Sequence, residues 1–266
     1  DEETRMSESI LVTGGAGFIG SNISKYLADL GHRVYIIDQI FKPSGANSAN
    51  LEDVKVEEFT KADLYQLDLF TYLQSRSIQW VIHCAAISSH SFAHHHPREA
   101  FQANVDVTHK LLEAIRLCDW DIQLINIGTT TQFGRLNEQS NIQKPTDFYS
   151  LTKVLTENLV DFYRDTYQQS AISVRLPNVY GPKAPIHDHR LSFINYFIGL
   201  VLQNKAITVY GSGHQLRTML HVWDICHFID QVMNLSLDTL PSSMTLGSND
   251  HQSVADLATI IAQASG

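Results

Sequence analysis

The sequence predicts a doubly wound α/β fold, a parallel sheet covered by helices on both faces, with a smaller C-terminal lobe. Three observations predict it. Short apolar runs alternate with helical patterns as far as about residue 177. Several of those runs are apolar at nearly every position, as expected of strands buried on both faces. A glycine-rich turn joins the first run to the first helix.

The first strand is expected at 10–13 (Ile-Leu-Val-Thr), and Ile23, Tyr26, Leu27 and Leu30 give the following helix, 21–30, one apolar face. Residues 34–37 form the second run, ending in Asp38. Further strands are expected at 54–59, 80–84, 124–127 and 172–175. Helices are expected at 68–75, at 97–117 with Pro97 opening the first turn, and at 149–167. Beyond Asn178 the alternation breaks at Pro182 and Pro185; a helix over 191–203, a strand over 207–210 and an amphipathic stretch over 254–264 follow. The expected division is therefore 6–177 for the sheet domain and 178–266 mainly for the lobe.

The turn Gly14-Gly15-Ala16-Gly17-Phe18-Ile19-Gly20 contains G-x-G-x-x-G at Gly15, Gly17 and Gly20, between a strand and a helix. Glycines let the backbone turn sharply against a pyrophosphate, and the free amides at the helix start, around Gly17, Phe18 and Ile19, can donate to it. Asp38, at the end of the next strand, is placed to bind ribose hydroxyls. It would repel a 2′-phosphate, so the expected cofactor is NAD rather than NADP. The alternative is a glycine-rich turn with no ligand.

The formal charge of −9 argues against a general nucleic-acid binder, and 44% hydrophobic with 18% charged residues describes an ordinary globular chain. No apolar run reaches the length of a membrane span. The charged start, Asp1 to Arg5, lacks a signal-peptide core. Cys84, Cys118 and Cys226 are widely spaced, and reduced thiols in a cytoplasmic protein are the simplest reading. Adjacent histidines point in different directions, so His94-His95-His96 reads as a solvated polar segment rather than a metal site.

Tyr149 and Lys153 stand four residues apart on one helix face. A nearby ammonium favours tyrosinate and suits the phenol to proton transfer. Together with the glycine turn, this pair resembles the short-chain dehydrogenase/reductase superfamily, and the rest of the chain resembles its extended, NAD-dependent sugar-nucleotide epimerase/dehydratase branch. His83-Cys84-Ala85-Ala86 looks like the H-x-A-A turn beneath the cofactor, and Asp63-Leu64 like the acidic pair at the adenine; the spacing from Ala85 through Pro97 to Asn104 is kept. The stretch from Arg175 to Pro182 is similar to R-x-x-N-V-Y-G-P, and the residues from Val209 to Asp224, with Arg217, to V-Y-G-x-G…R…H-V-x-D.

The resemblance implies a Rossmann sheet, with cofactor contacts at Gly14, Gly17, Phe18, Ile19, Gly20, Asp38, Asp63, Leu64, Ala85, Ala86, Asn104, Tyr149 and Lys153. It implies catalysis by Thr129, Tyr149 and Lys153. It also implies a nucleotide-diphosphate sugar held by Thr129, Asn178, Val209 and Arg217, Arg217 as a diphosphate clamp; a homodimer built on helices 97–117 and 149–167; and relatives that continue beyond residue 266. Where dehydratases read S-T-[DS]-E-V-Y-G, this chain reads Gly128-Thr129-Thr130-Thr131-Gln132-Phe133-Gly134. A threonine hydroxyl cannot replace the glutamate base near neutral pH. The expectation is therefore epimerisation through a transient keto sugar, at C4. A 4-keto-sugar reductase is the first alternative, a 4,6-dehydratase the second, and a non-catalytic NAD-binding sensor the reading from another class.

Overall fold

The computed structural model describes residues 7–137, 142–248 and 251–264; the expected charged start and the domain limits at Met6 and Gly266 lie outside the described residues. In chain order, β1 (Ser9–Thr13), α1 (Phe18–Asp29), β2 (Arg33–Asp38), β3 (Glu58–Lys61), α2 (Leu69–Ser75) and β4 (Trp80–His83) come first. Next are α3 (His90–His95), α4 (Pro97–Phe101), a π-helical segment (Gln102–Asp106), α5 (Val107–Arg116), β5 (Gln123–Thr129) and a hairpin of β6 (Arg135–Asn137) and β7 (Ile142–Lys144). The long α6 (Phe148–Tyr167), β8 (Ala171–Leu176), β9 (Asn178–Tyr180) and α7 (Phe193–Leu202) follow. The chain then forms β10 (Leu216–His221), α8 (Val222–Met233), β11 (Ser243–Thr245), β12 (His251–Ser253) and α9 (Val254–Ala264).

Among the described residues the main sheet has seven strands in the order β11-β8-β5-β4-β1-β2-β3, all parallel. Every residue of β1 is buried, because alternate side chains serve opposite faces. Ile10 and Val12 pack with Ile23 and Leu27 of α1 and with Ile225 and Ile229 of α8. Leu11 faces the other layer, with Leu73 of α2, Leu111 and Leu112 of α5, and Val160 of α6.

Three expectations need correction. The third strand is Glu58–Lys61, not 54–59: Val54 turns back on Leu51, and pairing with β2 starts only at Tyr35 opposite Glu58. Residues 207–210 form no strand. Gly211 and Gly213, both at positive φ, turn the chain, and the ladder forms later, where Met219–His221 pair with β9. Finally, residues 222–245 do not stay in the lobe. Helix α8 packs on α1, and β11 joins the main sheet beside β8. The lobe is thus built from β9, α7, β10, β12 and α9.

His83 sits at the end of β4, 2% exposed, between two threonines. Thr108 Oγ1 donates to the Asn104 carbonyl (2.6 Å), so His83 Nε2 must donate to Thr108 (3.0 Å), and Nδ1 accepts from Thr13 Oγ1 (2.7 Å). Burial, with the Lys153 charge adding to it, pushes the imidazole from 6.5 down to about 3. The unfolded chain therefore binds a proton that the fold refuses between those values. Stability contributed by neutral His83 is complete above pH 6.5 and falls as pH drops towards 3. Denaturant unfolding of the protein and of His83→Gln across this window should show a steeper acid loss in the unsubstituted protein; parallel curves would contradict the assignment.

Candidate active site

A cavity of about 330 Å³ opens at the carboxyl ends of the central strands. The turn after β1 forms its floor. Gly14 has φ +70°, and a Cβ there would lie 2.6 Å from the Ala85 amide nitrogen; at Gly20 it would lie 2.4 Å from the Gly14 carbonyl oxygen. Only glycine lets the turn and helix approach this closely. Helix α1 starts at Gly17 with no side chain capping its first amides, and Gly17, Phe18 and Ile19 line the cavity. These open donors, in a cradle too tight for side chains, fit a pyrophosphate.

Asp38 lines the same cavity and is 7% exposed. Its two carboxylate oxygens accept from the amides of Ala16 (3.0 Å) and Ile40 (2.6 Å). Burial raises its pKa, and these two amides oppose the rise. Asp63, Leu64, Ala85 and Ala86 also face the cavity. Asn104 does not. The π-helical segment turns it inward, where its amide bonds the Ile87 N–H (2.7 Å), the Ile87 carbonyl (3.2 Å) and Thr152 Oγ1 (2.9 Å). It fixes the loop that follows Ala86 against α6.

Thr129, Tyr149 and Lys153 converge at the other end of the cavity. Asp147 caps α6 by accepting from the Ser150 amide at 2.9 Å, which sets the first turn that carries Tyr149. Thr129 ends β5, and its hydroxyl stands beside the Tyr149 phenol and favours its ionisation. Lys153 Nζ donates to the Ile127 carbonyl at 2.9 Å, and burial lowers its pKa to about 8. The expected lowering of the Tyr149 pKa by Lys153 is absent in the protein alone. Burial raises the phenol strongly and Asp147 adds to the rise, while Thr129 opposes it.

Asn178 lines the cavity from β9, whereas Val209 and Arg217 do not. Val209 packs near Gly213 and Arg217 is exposed on β10, its guanidinium donating to the Leu216 carbonyl at 2.9 Å. The sequence offered His90 only as a neighbour of the histidine run and not as a site residue. His90 lines the cavity, its ring meets Tyr149 edge-on at 4.7 Å, and its Nδ1 lies 3.0 Å from Asp147 Oδ2. No spacing signal singles it out beside the histidine run. That run disperses: His96 stacks on Phe92 and pairs with Glu99, and His95 bonds the Ser91 carbonyl.

Beneath the site, Glu157 of α6 accepts from Gln132 Nε2 (2.5 Å) and from Arg175 of β8, which also donates to Ser243 Oγ of β11 (2.8 Å). This buried pair ties β5, α6, β8 and β11 together.

The sequence matches the model of the NAD dependent epimerase/dehydratase family over residues 10–241. A dTDP-D-glucose 4,6-dehydratase of Dictyostelium discoideum is 29% identical over 85% of the chain, which spans 55% of that relative's length. An uncharacterised UDP-glucose epimerase of Bacillus subtilis is 30% identical, with 97% of this chain and 82% of that one covered. The crystal structure of UDP-glucuronic acid 4-epimerase from Bacillus cereus, in complex with UDP-glucuronic acid and NAD, aligns at TM-score 0.84 and 25% identity, covering 97% of this chain and 83% of that one. The chain belongs to the NAD dependent epimerase/dehydratase family.

Proposed function

We propose that the protein epimerises a nucleotide-diphosphate sugar, at C4, through a transient keto sugar and with NAD. One observation carries the reading: Thr129, Tyr149 and Lys153 meet in the same cavity as the glycine turn and Asp38, while threonines stand where dehydratases place their acid and base. The glycine turn and the α1 amides would hold the pyrophosphate, Asp38 the adenine-side ribose, and Lys153 the nicotinamide ribose. NAD supplies a reversible hydride acceptor. Tyr149, aided by Thr129, takes the proton of the sugar hydroxyl as the carbinol hydrogen leaves, and returns it after the keto sugar has presented its other face. Asn178 contacts the sugar nucleotide from the lobe side.

In the same reading, residues up to 177, with β11 and α8, hold the cofactor, and the lobe holds the sugar nucleotide. Exposed Phe101 of α4 and Leu151, Phe162 and Tyr167 of α6 support a homodimer packed through these helices. The free thiols of Cys84, Cys118 and Cys226 support a cytoplasmic location. Among the described residues no helix is long and apolar enough to cross a membrane.

The test is the nucleotide content of the purified protein after denaturation, followed by incubation with UDP-, GDP-, CDP- and dTDP-sugars. Bound NAD and a product of unchanged mass with one inverted carbon are the expected results. Loss of water would make the protein a dehydratase, and turnover only of keto sugars with added reduced cofactor would make it a reductase.

A further inference from the structure

Tyr149 is 8% exposed, and a sugar and a nicotinamide bound in the cavity would cover what remains of its approach to water. Burial makes its ionisation costly, so the route taken by its proton matters. A line of hydrogen bonds begins at Thr129, which stands beside Tyr149 in the cavity, and leads away from it. The Thr129 hydroxyl faces the Tyr149 phenol and eases its ionisation, and Thr129 Oγ1 lies 3.2 Å from Thr131 Oγ1. Thr131 Oγ1 lies 3.1 Å from Ser150 Oγ, Ser150 Oγ 3.2 Å from Asp147 Oδ2, and Asp147 Oδ2 3.0 Å from His90 Nδ1. Three hydroxyls, each able to give and accept a proton, thus connect a buried phenol to an imidazole whose side chain is 44% exposed.

We propose that this line is a proton relay, with Ser150 and Thr131 as its intermediate carriers and the Asp147–His90 pair as its terminus. The proposal rests on the reading of Tyr149 as the acid-base group. Outward, Tyr149 gives its proton to Thr129, Thr129 passes its own to Thr131, Thr131 to Ser150, and Ser150 to the Asp147–His90 pair. Each hydroxyl gains one proton and loses one, Tyr149 is left as phenolate, and nothing is oxidised or reduced. The inward run reverses each step. The position where dehydratases carry a glutamate is therefore occupied by a carrier, Thr131, and not merely vacated by a base. The charged and titratable groups around the line are Asp147, which caps α6, Lys153 of α6, Cys84 just after β4, and His90 of α3.

The experiment follows the absorbance of reduced nicotinamide when the cofactor-loaded protein is mixed with a sugar nucleotide that it turns over, in H₂O–D₂O mixtures. Ser150→Ala breaks the line at its centre with little change in volume, and the Ser150 amide still caps against Asp147. His90→Asn removes the terminus. The expected result is a rate of first hydride transfer at least tenfold lower in Ser150→Ala, with bound cofactor content and sugar-nucleotide affinity unchanged. The dependence on deuterium fraction should be curved, from several protons in flight, in the unsubstituted protein, and should flatten in both variants. A structural role alone would not alter that curvature. Equal rates and equal curvature in all three proteins would overturn the relay and leave the function standing. Unsubstituted protein that never reduces bound nicotinamide with any sugar nucleotide would overturn the proposed function and the relay with it.

Discussion

Replacing Tyr149 with Phe lowers the rate of hydride transfer by about 10²- to 10⁴-fold, the range for losing a positioned general acid-base group. The fold should be kept. The ring of Tyr149 packs with Ile87, Ala93 and Ala100, and phenylalanine preserves that surface. The hydroxyl has Thr129 as its partner, and the Thr129 hydroxyl also lies against Thr131, so the loss leaves no orphaned donor. Lys153 stays on the Ile127 carbonyl and the glycine turn is far from the change, so the cofactor is retained. Stopped-flow absorbance of reduced nicotinamide, with cofactor content measured after denaturation, separates the two effects. Unchanged transfer in the variant would remove Tyr149 from the chemistry.

Replacing Glu157 with Ala destabilises the fold by about 3–5 kcal/mol, the cost of stranding a buried partner charge. Glu157 and Arg175 expose only 10% and 17% of their side chains, so water cannot readily replace the lost carboxylate. Gln132 loses its acceptor at the same time. Replacing both charges, as in Glu157→Leu with Arg175→Met, should cost much less, because no unpaired charge remains. Denaturant unfolding of the two variants tests this. Equal losses in both would mean that packing, not charge pairing, dominates here. Gln132 follows Thr129 by one short turn, so the single variant should also weaken the placement of the Thr129 hydroxyl.

The sequence exposed those parts whose physics is local and periodic. Strands β1, β2, β4, β5 and β8 could be read because burial on both faces gives each a core of consecutive or nearly consecutive apolar residues. The glycine turn and the Tyr149–Lys153 pair could be read because backbone approach and helix spacing constrain residue type directly. The short strands β9 and β11 could not: Asn178-Val179-Tyr180 and Ser243-Met244-Thr245 carry no alternation long enough to separate them from loops. The hold of Asn104 on Ile87 and Thr152 could not be read, because these partners lie 17 and 48 residues away and Asn104 sits in a π-helical segment. Arg217 and Val209 were assigned through motif position, while their placement depends on how the lobe packs. His90 was invisible for the same reason, since its partners Asp147 and Tyr149 lie 57 and 59 residues away in the chain.

The position of β11 has a consequence for how the protein is made. A ribosome releases β8 some seventy residues before β11, and until Ser243–Thr245 emerge the edge of β8 has no neighbour on that side. An unpaired parallel edge is a template for association with other chains. Nascent or proteolysed chains ending before residue 243 should therefore clump, and no cut near residue 177 would yield a well-behaved cofactor half. The last quarter of this chain thus bears on its solubility during synthesis as well as on the lobe.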